Sequence, residues 1–118
     1  MNVEEIRAYC LSKKGAEESF PFDEDTLVIK VINKMFALIS LEGGSKINLK
    51  CNPLKAIQLR ERYEEIVPGW HMNKIHWNTV TYNRLLPDKL LKELIDHSYA
   101  LVAKNLPKKQ QQLLNAGE

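Results

Sequence analysis

Residues 27–50 restrict the fold more than any other part of this chain. Leu27 to Ile32 is apolar and β-branched, Asn33-Lys34 reads as a turn, and Met35 to Leu41 runs apolar again. Glu42-Gly43-Gly44-Ser45 is a second turn, and Lys46-Ile47-Asn48-Leu49-Lys50 then alternates polar and apolar without a break. A period of two is that of a strand with one buried and one wet face, and short turns join antiparallel neighbours. Three antiparallel strands follow, with Lys46, Asn48 and Lys50 on the open face. Glu17 to Asp25, before them, is acidic and carries Phe20-Pro21-Phe22. Pro21 cannot donate to a central ladder, so this piece is expected as an edge strand or a loop anchored by its two phenylalanines.

Helical patterns flank the strands. Asn2 and Glu5 stand in capping-box positions ahead of Val3, Ile6, Tyr9 and Cys10, with Gly15 as the stop. Asn52-Pro53 opens a second helix whose inward face is read as Leu54, Ile57 and Tyr63, with Ala56 and Leu59 beside them. Its Lys55, Arg60, Arg62, Glu64 and Glu65 are assigned to water. Leu91, Leu94, Ile95, Ser98, Leu101 and Val102 recur at three- and four-residue spacing in a third helix that begins near Leu86-Pro87-Asp88 and stops before Pro107. Between the second and third helices, His76 to Tyr82 is β-prone and Asn83-Arg84 reads as a turn. The order predicts an α+β domain of two layers: an antiparallel sheet with three helices on one face and the other face partly open. Residues 1–107 form one domain on this reading, and 108–118 a polar tail in which only Leu113-Leu114 has a reason to dock.

Length and composition set outer limits. At 118 residues, 44% hydrophobic and 27% charged, the chain can bury one core without metals or disulfides. Its apolar runs are too short to cross a bilayer, and no basic segment leads into an apolar one at the start. The expected compartment is therefore the cytoplasm, with no membrane partner. Cys10 and Cys51 lie far apart and read as two buried thiols. The net charge of +2 conceals an asymmetry: residues 1–25 carry −4, residues 26–84 carry +5 and residues 85–118 carry +1. An anionic partner would meet the basic middle segment, although the sequence pI of about 8.5 is below that of many dedicated nucleic-acid binders.

That middle segment contains Pro68-Gly69-Trp70-His71-Met72-Asn73-Lys74-Ile75-His76-Trp77-Asn78-Thr79-Val80, with both tryptophans and two of the three histidines. Pro-Gly marks a turn and Trp77 onward a strand, so a loop feeds a strand. Alternation would place Lys74, His76 and Asn78 on one face, and Trp77 and Thr79 on the other. Two readings stand side by side. In one, Lys46, Lys50 and Lys74 meet phosphates, Trp70 stacks, and His71, Asn73, His76 and Asn78 offer polar edges. In the other, Trp77 anchors a core, while Asn78 and His76 satisfy the backbone of an irregular loop.

The same stretch, with Gly15 to Phe22, Lys34 to Ala37, Ile47 to Pro53 and Asp96 to Val102, resembles the MmcQ/YjbR family of small bacterial proteins. The resemblance covers nearly the whole chain. It implies a YjbR-like α+β fold close to secretion-chaperone-like or CyaY-like architectures, and a DNA-binding role through what is described as a double-wing motif.

Other chemistries have thinner support. His71 and His76 with Cys51 lack the ligand number and spacing of a zinc site, so no metal or other cofactor is expected. Cys51 with either histidine is a conceivable nucleophile pair, but its place between a strand and a helix suits a packed thiol. The expectation is a non-enzymatic binding module, monomeric or weakly dimeric, with DNA as partner. The alternatives are a protein- or peptide-binding adaptor using the open sheet face, and a small-molecule or enzymatic site in the 70–78 loop.

Overall fold

A computed structural model describes residues 1–82 and 85–116. The turn expected at Asn83-Arg84 lies outside the described residues. Four helices, α1 (Val3–Leu11), α2 (Pro53–Arg62), α3 (Asp88–Lys104) and α4 (Lys108–Ala116), accompany six strands: β1 (Ala16–Ser19), β2 (Thr26–Val31), β3 (Lys34–Ser40), β4 (Lys46–Lys50), β5 (Ile66–Pro68) and β6 (Trp77–Thr81). The strands form one antiparallel sheet in the order β1-β2-β3-β4-β6-β5. No described helix is long and apolar enough to cross a membrane.

Each element has a local cause. Asn2 Oδ1 accepts from the Glu5 amide (2.8 Å) and Glu5 Oε1 from the Asn2 amide (2.9 Å), closing the capping box of α1. The helix ends at Leu11, and Gly15, at φ +75°, turns the chain into β1. The β2–β3 turn is formed by Ile32 and Asn33, both at positive φ, and not by Asn33-Lys34 as expected; Lys34 already belongs to β3. Two residues of positive φ match the right-handed twist of a hairpin, and Asn tolerates that region well. Asn52 Oδ1 caps α2 through the amides of Leu54 and Lys55.

The main core lies between the sheet and the helices. Ile29 of β2, Ile39 of β3, Ile47 and Leu49 of β4 and Val80 of β6 meet Ile6 and Cys10 of α1 and Leu91, Leu94, Ile95 and Val102 of α3. Ser98, on the same stripe of α3, is fully buried; its hydroxyl donates to the Phe36 carbonyl (2.6 Å) and accepts from the Lys50 amide (2.9 Å).

Three expectations need correction. The polar tail is helical: Pro107 ends α3, yet its carbonyl accepts from the amides of Gln110 and Gln111, opening α4. The Lys-Gln run consists of good helix formers, and Leu114 packs against the core, so the described residues hold four helices where three were expected. The inward face of α2 is Ala56, with Leu59 and Tyr63, whereas Leu54 and Ile57 are exposed. Phe20 and Phe22 anchor nothing: they are 51% and 64% exposed on the β1–β2 connection. The second face of the sheet is partly open, with the loop between β5 and β6 folded back over Val28, Leu38 and Trp77.

Candidate functional site

Register assigns every side chain near the loop to a face. Lys46, Asn48 and Lys50 of β4 lie opposite Thr81, Thr79 and Trp77 of β6, all on the face away from the helices. Val67 of β5 pairs with Thr79 on the same face. Under the loop a second, small core forms from Val28, Leu38 and Trp77, with Met35 and Met72 packed against them. Trp77 is thus a buried anchor of the strand, as one of the two readings held.

The loop 69–76 is tied down at almost every residue. Gly69 lies so close to the strand that a Cβ would fall 2.8 Å from Trp77 Cβ and 3.0 Å from its carbonyl oxygen. The Trp70 amide donates to Thr79 Oγ1 (2.8 Å), and Asn48 Nδ2 donates to the Trp70 carbonyl (3.5 Å). The Thr79 hydroxyl in turn donates to Asn48 Oδ1, closing the group. Asn73 Oδ1 accepts from the amides of Ile75 and His76, an Asx turn, and its carbonyl accepts from the Trp77 amide (2.9 Å). Lys74 Nζ donates to the Gly69 carbonyl (2.9 Å), strapping the two ends of the loop together. The His76 carbonyl accepts from the Cys51 amide (2.8 Å), joining the loop to the β4–α2 junction.

Arg60 of α2, assigned to water on sequence, is a central tie. Its Nε donates to Asn78 Oδ1 (2.7 Å), and its terminal nitrogen reaches the carbonyls of Lys74 and Trp77. One signal pointed to it: Arg60 stands four residues after the buried Ala56 and so shares its side of the helix. Thr79 and Gly69 were missed as site residues for a similar reason, since their roles depend on the path of the loop.

The proposed polar face of Lys74, His76 and Asn78 therefore does not exist. Residues 73–76 form a turn, and only Asn78 is in the strand. Asn78 points to the helix side, 2% exposed, and is satisfied by Arg60. Asn73 is occupied by backbone and Lys74 by a carbonyl, whereas His76 is exposed. Among the side chains that reach solvent from the loop is a pair of rings. Trp70, 69% exposed, meets His71 edge-on, with centroids 4.9 Å apart and planes at 76°. His71 is held at φ +58°, a region costly for a non-glycine residue. The candidate residues brought together on the outer face are Lys46, Asn48, Lys50, Trp70 and His71.

The thiols are poor candidates for chemistry. Burial pushes the Cys10 thiol up to about 12 and raises that of Cys51 as well, so both stay protonated at neutral pH. His97 of α3 lies near the site: its Nε2 accepts from the Asn52 amide (3.1 Å), and burial followed by the Lys55 charge holds its pKa below the usual histidine value. Among the described residues, no three His, Cys, Asp or Glu side chains gather as metal ligands.

The family model named YjbR matches residues 11–101, most of the chain and the whole of this site. The chain belongs to the YjbR family. The YjbR protein of Escherichia coli K12 is 36% identical to it over 115 residues, 97% of this chain and 98% of that one. The YbdF protein of Escherichia coli O157:H7 is likewise 36% identical over 115 residues, covering 97% of this chain and 94% of its own. The crystal structure of the Deinococcus radiodurans protein DR2400, a DUF419 domain, matches with a TM-score of 0.90 and 37% identity over 97% of this chain and 88% of that chain. The YjbR fold thus extends over both layers described above.

Proposed function

We propose that this YjbR-family protein is a nucleic-acid-binding module, with DNA as partner, and that the outer sheet face is its contact surface. The observation that carries the reading is the placement of Lys46 and Lys50 on the same face as the exposed Trp70–His71 pair. Lys46 is exposed and Lys50 half-buried; ammonium groups that reach solvent from a strand suit phosphates, and aromatic rings on the same face suit bases or sugars. Lys30, on the same face of β2, lies opposite Glu17 of β1, so the cationic character is concentrated on β4. Lys74 serves first as the strap of the loop and is not assigned a phosphate. A non-catalytic role fits the protonated, buried thiols.

With two lysines carrying the ionic contacts, affinity for duplex DNA should be on the order of micromolar or poorer at physiological salt. The test is a fluorescence-anisotropy titration of labelled duplex at two salt concentrations. Binding should weaken as salt rises, and Lys46→Ala/Lys50→Ala should reduce the log–log slope by about two. Binding indifferent to both lysines would refute the reading. A protein-binding adaptor is favoured instead by one observation: Val67 of β5 and Ile75 of the loop are exposed apolar side chains.

A further inference from the structure

The loop 69–76 is held by more than its own packing requires. Met72 is its contribution to the small second core, and hydrogen bonds donated by Asn48, Arg60 and Lys74 and accepted by Asn73 and Thr79 fix its backbone. A left-handed His71 and a glycine without room for a Cβ complete the constraint. What this arrangement presents is an indole two-thirds in water and an imidazole edge-on to it. An aromatic ring left in solvent forgoes the burial that would stabilise the fold, and a fixed loop backbone that holds it there suits a ligand-binding surface.

We infer that the ligand is single-stranded nucleic acid, with an unpaired base stacked on the Trp70–His71 pair and its phosphates along β4 at Lys46 and Lys50. This rests on the nucleic-acid reading and narrows it. In an edge-to-face pair, at least one ring keeps a face clear of its neighbour, and that face is open to a third planar group. A duplex hides its base faces in the stack, and exposing one requires unstacking or extrusion. A single strand offers them freely. Val67, across from Thr79 on the same face, adds an apolar flank for the base, while Lys46, Asn48 and Lys50 make the opposite flank polar and cationic. Such a division, bases on an aromatic and apolar strip with phosphates on a basic one, is how sequence-tolerant single-strand binders work.

The experiment compares a labelled oligothymidylate of about twelve nucleotides with a duplex of the same length. It uses the full chain, Trp70→Ala, Trp70→Phe and Lys46→Ala/Lys50→Ala. Trp70→Ala should weaken single-strand binding about 5- to 150-fold and duplex binding much less, and Trp70→Phe should recover most of the single-strand loss. Tryptophan quenching on binding should also disappear in Trp70→Ala, although Trp77 remains. Because Trp70 is exposed, its variants should melt with the parent, which separates lost stacking from lost folding. Duplex preference with a lysine-dependent salt slope and a silent Trp70→Ala would overturn this inference and leave the proposed function standing. If neither oligonucleotide binds, both fall, and the exposed apolar side chains Val67, Trp70 and Ile75 favour a protein partner instead.

Discussion

Arg60→Ala is the substitution with the largest consequence that the loop architecture foretells. The guanidinium supplies the hydrogen bond of Asn78 Oδ1, on a side chain only 2% exposed, and reaches two carbonyls of the loop. Truncation leaves the buried Asn78 acceptor without its donor, which costs about 1–3 kcal/mol, while the freed carbonyls lie nearer to water and lose less. The total should be about 2–4 kcal/mol. For a domain of this size, with about 3–5 °C per kcal/mol, the melting midpoint should fall by roughly 6–20 °C. Differential scanning calorimetry measures this directly. A second arm identifies the cause: Arg60→Met/Asn78→Leu removes both partners and should cost clearly less than the two single variants together, because no orphaned acceptor remains. A midpoint lowered by less than about 2 °C in Arg60→Ala, or strict additivity in the pair, would show that the guanidinium does not hold the loop.

Two further outcomes follow from neighbouring contacts. Gly69→Ala should destabilise by about 1–3 kcal/mol in urea unfolding, because the new Cβ meets the Trp77 Cβ and carbonyl at 2.8 and 3.0 Å and backbone must move; a neutral result would mean that the loop is less closely seated. His97 accepts a hydrogen bond and has a depressed pKa, so the unfolded chain binds a proton that the folded one resists. Stability should therefore be complete above about pH 6.5 and decline as pH falls below it. Urea midpoints on either side of that pH should converge in His97→Asn relative to the parent.

Much of the architecture was legible because it depends on local periodicity. Alternation from Lys46 to Lys50 determines which side chains share a face, and the spacing of Leu91, Leu94, Ile95, Ser98 and Val102 determines the buried stripe of α3 whatever the rest of the chain does. The Asn2–Glu5 box and the Asn52 cap depend on neighbours two or three residues away. The long Trp/His stretch was enough to indicate the family. Tertiary structure decided the rest. Phe20 and Phe22 looked like anchors because aromatic side chains usually are, but both stay more than half exposed on the β1–β2 connection. The tail was polar, yet Leu114 found a place against the core. Above all, the site depends on where the 69–76 loop goes. Its path is set by Asn48, Arg60 and Thr79, which lie 9 to 22 residues from their loop partners in sequence. Strand parity also offers two faces without saying which one meets a helix, so Asn78 turned inward to Arg60 while Trp77 and Thr79 turned out beneath the loop. Hydrogen bonds across such separations leave no period in the sequence, and only the folded chain brings them together.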